Sequence, residues 1–261
     1  MRFGLAFKVI NLILKRKLTL IKKESLDKLN KAMGKSPLHG ILKWADPRDL
    51  ESLVFSLENT HSQFLQDVFV LAALRCRRKG FFVEFGATDG VVCSNSYMLE
   101  KEYDWQGILC EPSRHFHETL RSSRSAQIDV RCVSGISGQI VNFTEVEGTG
   151  LSSMEAKKPI DRLGFSSYKK NYYPVDTVSL TDLLRERGAP KTIDYLSIDV
   201  EGSEYEILLS HDWEAFKFLV ITVEHNYESR RQDIYDLLTS NGYTRVLSDV
   251  SLVDDWYVLK T

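Results

Sequence analysis

Two short acid-rich segments carry the chemistry in this chain. SIDVEGSEYEIL brings Asp199, Glu201 and Glu204 within six residues, and VEHN brings Glu224, His225 and Asn226 together. Three acids packed into one strand end repel each other unless they hold a cation or a polar ligand. If both segments close neighbouring strands, Asp199, Glu224 and Asn226 can offer oxygens to a hard divalent cation such as magnesium or manganese. Asp199, Glu201 and His225 are the candidates for moving a proton, because an imidazole titrates near neutral pH. Strand alternation opposes the last of these: if Glu224 and Asn226 face a cleft, His225 points away unless the chain has already turned.

A second group lies earlier. VEFGATDG contains Glu84, Gly86, Ala87, Asp89 and Gly90, and Glu111-Pro112 follows 25 residues after Gly86. Gly86 allows a sharp turn and close approach of a ligand. A dinucleotide loop would need three glycines as G-x-G-x-x-G, and this one has only Gly86 and Gly90. Glu84 and Asp89 repel a pyrophosphate and suit a ligand bearing ammonium or sulfonium, which favours S-adenosylmethionine over a nicotinamide. An acid in the place of Glu111 can accept both hydroxyls of a ribose.

The elements that position these residues alternate. Apolar runs at 80–86, 107–112, 128–133, 192–202 and 216–226 read as strands, with helices over 64–78, 95–103, 114–123, 178–188, 203–210 and 229–240 around them. Ser179 reads as an N-cap with Asp182 at the third helical position. The middle, 134–178, is irregular, with one excursion strand in QIVNFTEV and a mobile loop after it. YTRVLSD and DWYVLK have no room for a helix between them and should pair antiparallel. The expected fold is a doubly wound, mostly parallel α/β sheet with ligands at the C-terminal strand tips.

VEFGATDG, EP, VDTVSLTDLL, IDYLSIDVEGSEYEIL and VEHN, in this order, resemble the FkbM-type family of S-adenosylmethionine-dependent methyltransferases. SQFLQD (62–67) and SNSYMLEK (94–101) are similar to the family's pattern around the first strand. The resemblance spans roughly 61–261 and implies a class I methyltransferase fold, Rossmann-like, with seven strands and an antiparallel last strand. It implies O-methylation, commonly of sugars, polysaccharides or polyketide-type products. By position it implies that Glu84, Gly86 and Ala87 contact the methionine part of the cofactor and Glu111 its ribose. Val133 and Ser134 would then border the adenine, and Asp199 would sit beside the sulfonium. Asp89, Asn95, Pro112, Gln63 and Gln66 complete the expected cofactor contacts. The reading is an O-methyltransferase acting on a sugar, polysaccharide or glycolipid hydroxyl. Its rivals are a scaffold that keeps the fold without catalysis, and a nicotinamide-dependent oxidoreductase.

Residues 1–60 fall outside the resemblance and read as a basic amphipathic helix followed by a linker. From Met1 to Lys23 there are seven bases and no acid, and Phe3, Phe7, Ile10, Leu14, Leu18 and Ile21 share an uncharged helical face. Such a helix suits an anionic membrane surface, a partner protein, or the protein's own domain. Deleting residues 1–23 is expected to abolish salt-sensitive flotation with anionic liposomes and leave cofactor binding intact. Identical flotation of both forms would assign the segment elsewhere. With 34 bases against 36 acids the chain has no global field for nucleic acid. Four scattered cysteines read as free thiols of a reducing compartment, so the expected location is cytoplasmic, peripheral to a membrane at most.

Overall fold

The computed structural model describes residues 36–146, 153–154, 169–227 and 229–260. The basic helix expected over 1–23, and most of the loop expected after 146, lie outside the described residues.

Seven strands form the main sheet: β1 (Phe81–Phe85), β2 (Gln106–Cys110), β3 (Gln127–Asp129), β8 (Thr192–Ile198), β9 (Lys217–Glu224), β10 (Tyr243–Val246) and β11 (Asp254–Leu259). Their spatial order is β10-β11-β9-β8-β1-β2-β3. Pairing from β3 across to β9 is parallel, while β11 runs antiparallel to both β9 and β10. This is the class I methyltransferase sheet. The strand order reverses between β1 and β8, which opens a crevice at their C-terminal ends.

Both faces are covered, which explains the continuous apolar runs. Along β1, Val83 and Phe85 enter one core with α6 (Leu180–Glu186), α7 (Glu204–Leu209) and α8 (Arg231–Ser240). Phe82 enters the other, with α3 (Gln66–Ala73), α4 (Tyr97–Tyr103) and α5 (His117–Ser123). That second core also takes Ile41 and Leu42 from α1 (Pro37–Trp44) and Leu50 and Leu53 from α2 (Leu50–Ser56). Residues 37–56 therefore act as core helices rather than as a linker, and the apolar positions of two short helices were too few to signal it. Phe69 of α3 stacks on Trp256 of β11 with ring centroids 4.6 Å apart, which seats α3 beneath the strand tips.

The single strand expected over 128–133 divides in two. Asp129 ends β3 and turns to accept the Arg131 backbone N–H (3.0 Å) and its guanidinium (2.7 Å). After this turn β4 (Cys132–Ser134) leaves the main sheet. It pairs with β7 (Lys170–Ser179) in a second sheet of order β4-β7-β5-β6, with β5 (Ile140–Val146) and β6 (Ser153–Met154). The alternation of apolar and charged residues in IDVRCV cannot reveal such a change of partner. The helix expected over 64–78 is likewise shorter, because Arg75 and Cys76 take positive φ just after it. Ser179 is the expected cap: its hydroxyl accepts the Asp182 N–H at 3.1 Å.

Candidate functional site

The loop after β1 is built backbone against backbone. Gly86 has φ +75°, and its N–H and that of Ala87 both reach the Cys110 carbonyl at the end of β2 (3.1 and 3.3 Å). A Cβ at Gly86 would overlap the carbonyl oxygen of Asp199. The glycine therefore allows the β1 loop to lie directly on the tip of β8.

The two acids of this loop, expected at a ligand, are both engaged by the chain's own groups. Asp89 accepts the Val91 and Val92 N–H groups, both at 2.8 Å, and closes a local turn. Glu84 is buried and accepts the Asn95 N–H (2.6 Å) and the hydroxyls of Ser94 (3.0 Å) and Ser96, with Arg124 3.8 Å away. It anchors the segment 94–96 from below. Glu111 is the acid expected from the sequence to meet a ribose. It is buried at the tip of β2 and accepts the N–H groups of Thr88 and Ser113, each at 2.7 Å. Burial, with a smaller push from Glu145, raises its carboxyl to about 7 against the two amides that favour the anion.

The second sheet supports this corner. Glu145 of β5 accepts the Ser113 hydroxyl (2.7 Å), the His115 N–H (3.2 Å) and the Tyr173 hydroxyl (2.6 Å), holding the turn that follows Glu111-Pro112. Sequence reasoning missed Glu145, since one acid in an excursion strand carries no signal. Val133 is buried in β4 and Ser134 pairs in register with Ser179. The preceding Cys132 lies close enough to Glu111 for that carboxylate, after burial itself, to raise its thiol.

Between β1, β8, β9 and the start of β11 lies a small cleft of about 30 Å³, lined by Gln63, Gln66, Cys93, Asn95, Ser197, Asp199, Thr222, Glu224 and Asp254 among others. Carboxylate oxygens of Asp199, Glu201 and Glu224 all lie within 4.8 Å of one another. Desolvation and then Glu201 raise the Asp199 carboxyl; desolvation and then Asp199 raise that of Glu224. Asp199 keeps accessible surface in the cleft, so like-charge repulsion is the cause that the geometry carries for this residue. Asp254, also raised by burial, accepts the Gln66 side-chain N–H at 2.6 Å. It was not singled out from the sequence, although it stands opposite Glu224 in register.

His225 and Asn226 do not join this cleft. Both line a second, adjoining pocket with Glu204, Glu224, Arg230 and Arg231. The His225 Nδ1 accepts the Tyr227 N–H at 2.9 Å, and its Nε2 faces Asp255 at 3.8 Å. Burial lowers its affinity for a proton. With the Nδ1 lone pair engaged and the ring turned from Asp199, His225 is not placed as a base, as strand alternation had cautioned. Glu201, at φ +59°, takes the place beside Asp199 and Glu224 that Asn226 was expected to fill.

Residues 84–245 match the model of the methyltransferase FkbM domain. The chain belongs to this family. Among solved structures, this FkbM-family chain is similar to methyltransferase FkbM from Methylobacillus flagellatus KT, at 12% identity and a TM-score of 0.43. The match covers 81% of this chain and 59% of that one. It is similar also to a precorrin-6y C5,15-methyltransferase from Geobacter metallireducens GS-15, at 11% identity and a TM-score of 0.40, over 69% of this chain and 70% of that one. No curated protein matches the chain. Among the described residues no helix is long and apolar enough to cross a membrane.

Proposed function

We propose that this FkbM-family chain is an S-adenosylmethionine-dependent O-methyltransferase acting on a hydroxyl of a sugar, polysaccharide or glycolipid. The observation that carries the reading is Glu111, a buried acid at the tip of β2 that accepts the Thr88 N–H of a β1 loop which Gly86 lets lie against the Asp199 backbone. These residues fit the cofactor: Glu111 would take the ribose hydroxyls, and Gly86 with Ala87 would let the methionine part approach the backbone. When bound, the cofactor supplies an electrophilic methyl group on sulfur. The chain's own residues then align the acceptor oxygen and accept its proton. Asp199, whose carboxyl burial and the neighbouring Glu201 raise to about 7, is the group suited to the proton. A cleft lined by amides, hydroxyls and carboxylates suits a polyhydroxylated acceptor better than an apolar one.

Titration with S-adenosylhomocysteine tests the reading. Hydrogen bonds to a charged group contribute about 1.5–3 kcal/mol, so Glu111→Gln, which keeps the side-chain shape, should weaken binding about tenfold or more. Two ribose hydroxyls can donate to the two oxygens of a carboxylate, whereas the protonated acid keeps one good acceptor and no charge. Affinity of the wild type should therefore rise as pH passes through about 7, where Glu111 ionises, and the rise should be absent in Glu111→Gln. Tighter binding of NAD than of S-adenosylhomocysteine would favour the oxidoreductase. Methyl-labelled cofactor offered with fractionated cellular glycans separates an enzyme from a scaffold: label in a glycan fraction supports catalysis, and cofactor binding without any transfer supports the scaffold.

A further inference from the structure

Pro112 follows Glu111 and has no N–H to give. One oxygen of the Glu111 carboxylate therefore takes the amide of the next residue, Ser113 (2.7 Å), while the other takes that of Thr88 in the β1 loop. Half of what aims this carboxylate is thus the turn 112–115, which belongs to no strand of the main sheet.

The second sheet fastens that turn at three successive residues. The Ser113 hydroxyl and the His115 N–H both donate to Oε2 of Glu145 on β5 (2.7 and 3.2 Å). Between them, the Arg114 N–H donates to the Tyr173 hydroxyl on β7 (3.0 Å), and its guanidinium lies 4.1 Å over the Tyr173 ring. Tyr173 donates in turn to the same Glu145 oxygen (2.6 Å), and Asn171 to the other (3.3 Å). A buried carboxylate is unfavourable unless hydrogen bonds offset its lost hydration. Glu145 is buried, and two of the donors that hold it belong to the turn after Glu111.

We infer that Glu145 is a positioning residue for the ribose subsite: through Ser113 it holds the Glu111 carboxylate in place for the cofactor's hydroxyls. The inference rests on the reading of Glu111 as the ribose acid. It carries an electrostatic consequence. Burial raises the Glu145 carboxyl, but the Tyr173 and Ser113 hydroxyls, the His115 amide and Asn171 more than offset this and hold it at about 2. It is therefore an anion wherever Glu111 titrates, and its charge adds to burial in raising Glu111 to about 7. The other titratable groups around Glu111 are neutral near that pH. Burial raises the thiols of Cys110 on β2 and Cys132 on β4, and lowers His117 of α5, whose Nε2 meets the Glu111 carbonyl oxygen at 2.9 Å. Of the neighbouring carboxylates, Asp129 on β3 is held by Arg131 and Arg187, and Asp89 in the β1 loop by the Val91 and Val92 amides.

The test is calorimetric titration of the full chain with S-adenosylhomocysteine at a series of pH values on either side of the Glu111 transition. Glu145→Gln removes the charge and keeps an oxygen for the turn. Its affinity should rise at lower pH than that of the wild type, by roughly half a unit or more, because Glu111 no longer ionises against a neighbouring anion. A merely structural Glu145 would lower affinity at every pH and leave the pH midpoint in place. Ser113→Ala does the converse. It cuts the link to Glu145 but keeps the Ser113 amide and the Glu145 charge, so binding above the transition should weaken about threefold or more without lowering the pH midpoint. Thermal unfolding is measured for both, and Ser113→Ala, which removes a single hydroxyl, decides the positioning if Glu145→Gln does not fold. An unshifted pH midpoint in a folded Glu145→Gln overturns the inference, as does wild-type affinity in Ser113→Ala. Wild-type and Glu111→Gln titrations keep the two readings apart. Binding that Glu111→Gln weakens, but neither of the other variants alters, removes only the role of Glu145. A wild type that does not bind overturns the ribose reading, and this inference with it.

Discussion

Replacing Gly86 with alanine is expected to abolish measurable S-adenosylhomocysteine binding and to destabilise the chain by at least about 2 kcal/mol. The left-handed backbone alone costs a residue with a Cβ about 1–2 kcal/mol. Overlap with the Asp199 carbonyl oxygen adds to that, and it cannot be relieved by rotating a side chain. Either the β1 loop lifts away from β8 or the Asp199 tip is driven back, and both displace groups of the proposed site. Gly138 provides the control. Its φ of +74° is nearly the same, but a Cβ there meets nothing within 4 Å. Gly138→Ala should therefore show the backbone cost alone, with cofactor affinity unchanged. Thermal unfolding and calorimetric titration of both variants decide the matter. If Gly86→Ala behaves like Gly138→Ala, the close approach of the two loops has no part in binding.

The residues that the sequence made legible are those whose position follows from strand polarity. In a parallel sheet every strand ends on the same edge, so acids closing apolar runs at Glu111, Asp199 and Glu224 must converge there once the strands are found. Asp254 escaped this logic because β11 is antiparallel, and its first residue, not its last, reaches that edge. The period-two rule gave the right warning for His225, which turns into the neighbouring pocket while Glu224 lines both. Glu84 shows the opposite limit. An acid two residues before a glycine loop looks the same in sequence whether it faces a ligand or the loop's own amides. Only the fold reveals that Ser94, Asn95 and Ser96 come back to it. The second sheet was illegible for a related reason. Its strands pair across gaps that sequence period does not encode, so Glu145 and its hold on Ser113 had no local signature.

Arg124 carries the other large expected effect. Its side chain is wholly buried after α5, where Nε donates to Glu100 (2.9 Å) and Nη1 to the Gly90 carbonyl (3.0 Å) and the Ser94 hydroxyl (3.1 Å). Nη2 donates to the Ser96 hydroxyl (2.8 Å). Glu84 lies 3.8 Å from it. One guanidinium thus ties α4, α5, the β1 loop and the anchor of segment 94–96 together. Burial raises the Glu100 carboxyl, and Arg124 together with the Ser125 N–H and Lys101 more than offsets this to hold it below the usual range. Arg124→Met gives up the guanidinium's place over the Phe82 ring, leaves Glu84 buried without a cation and leaves Glu100 with Lys101 alone (3.2 Å). Breaking a buried pair in this way costs about 3–5 kcal/mol. Arg124→Lys should fall between, because an ammonium cannot reach four acceptors in the fixed fork of a guanidinium. The diagnostic measurement is a double-mutant cycle in urea. Adding Glu84→Gln to Arg124→Met should restore at least about 1 kcal/mol, since it removes one of the stranded charges. Additive losses would mean that the two groups act independently. In that case the position of Asn95 would rest on the Glu84 hydrogen bonds alone, and Arg124 would serve only to pack α5 against the loop.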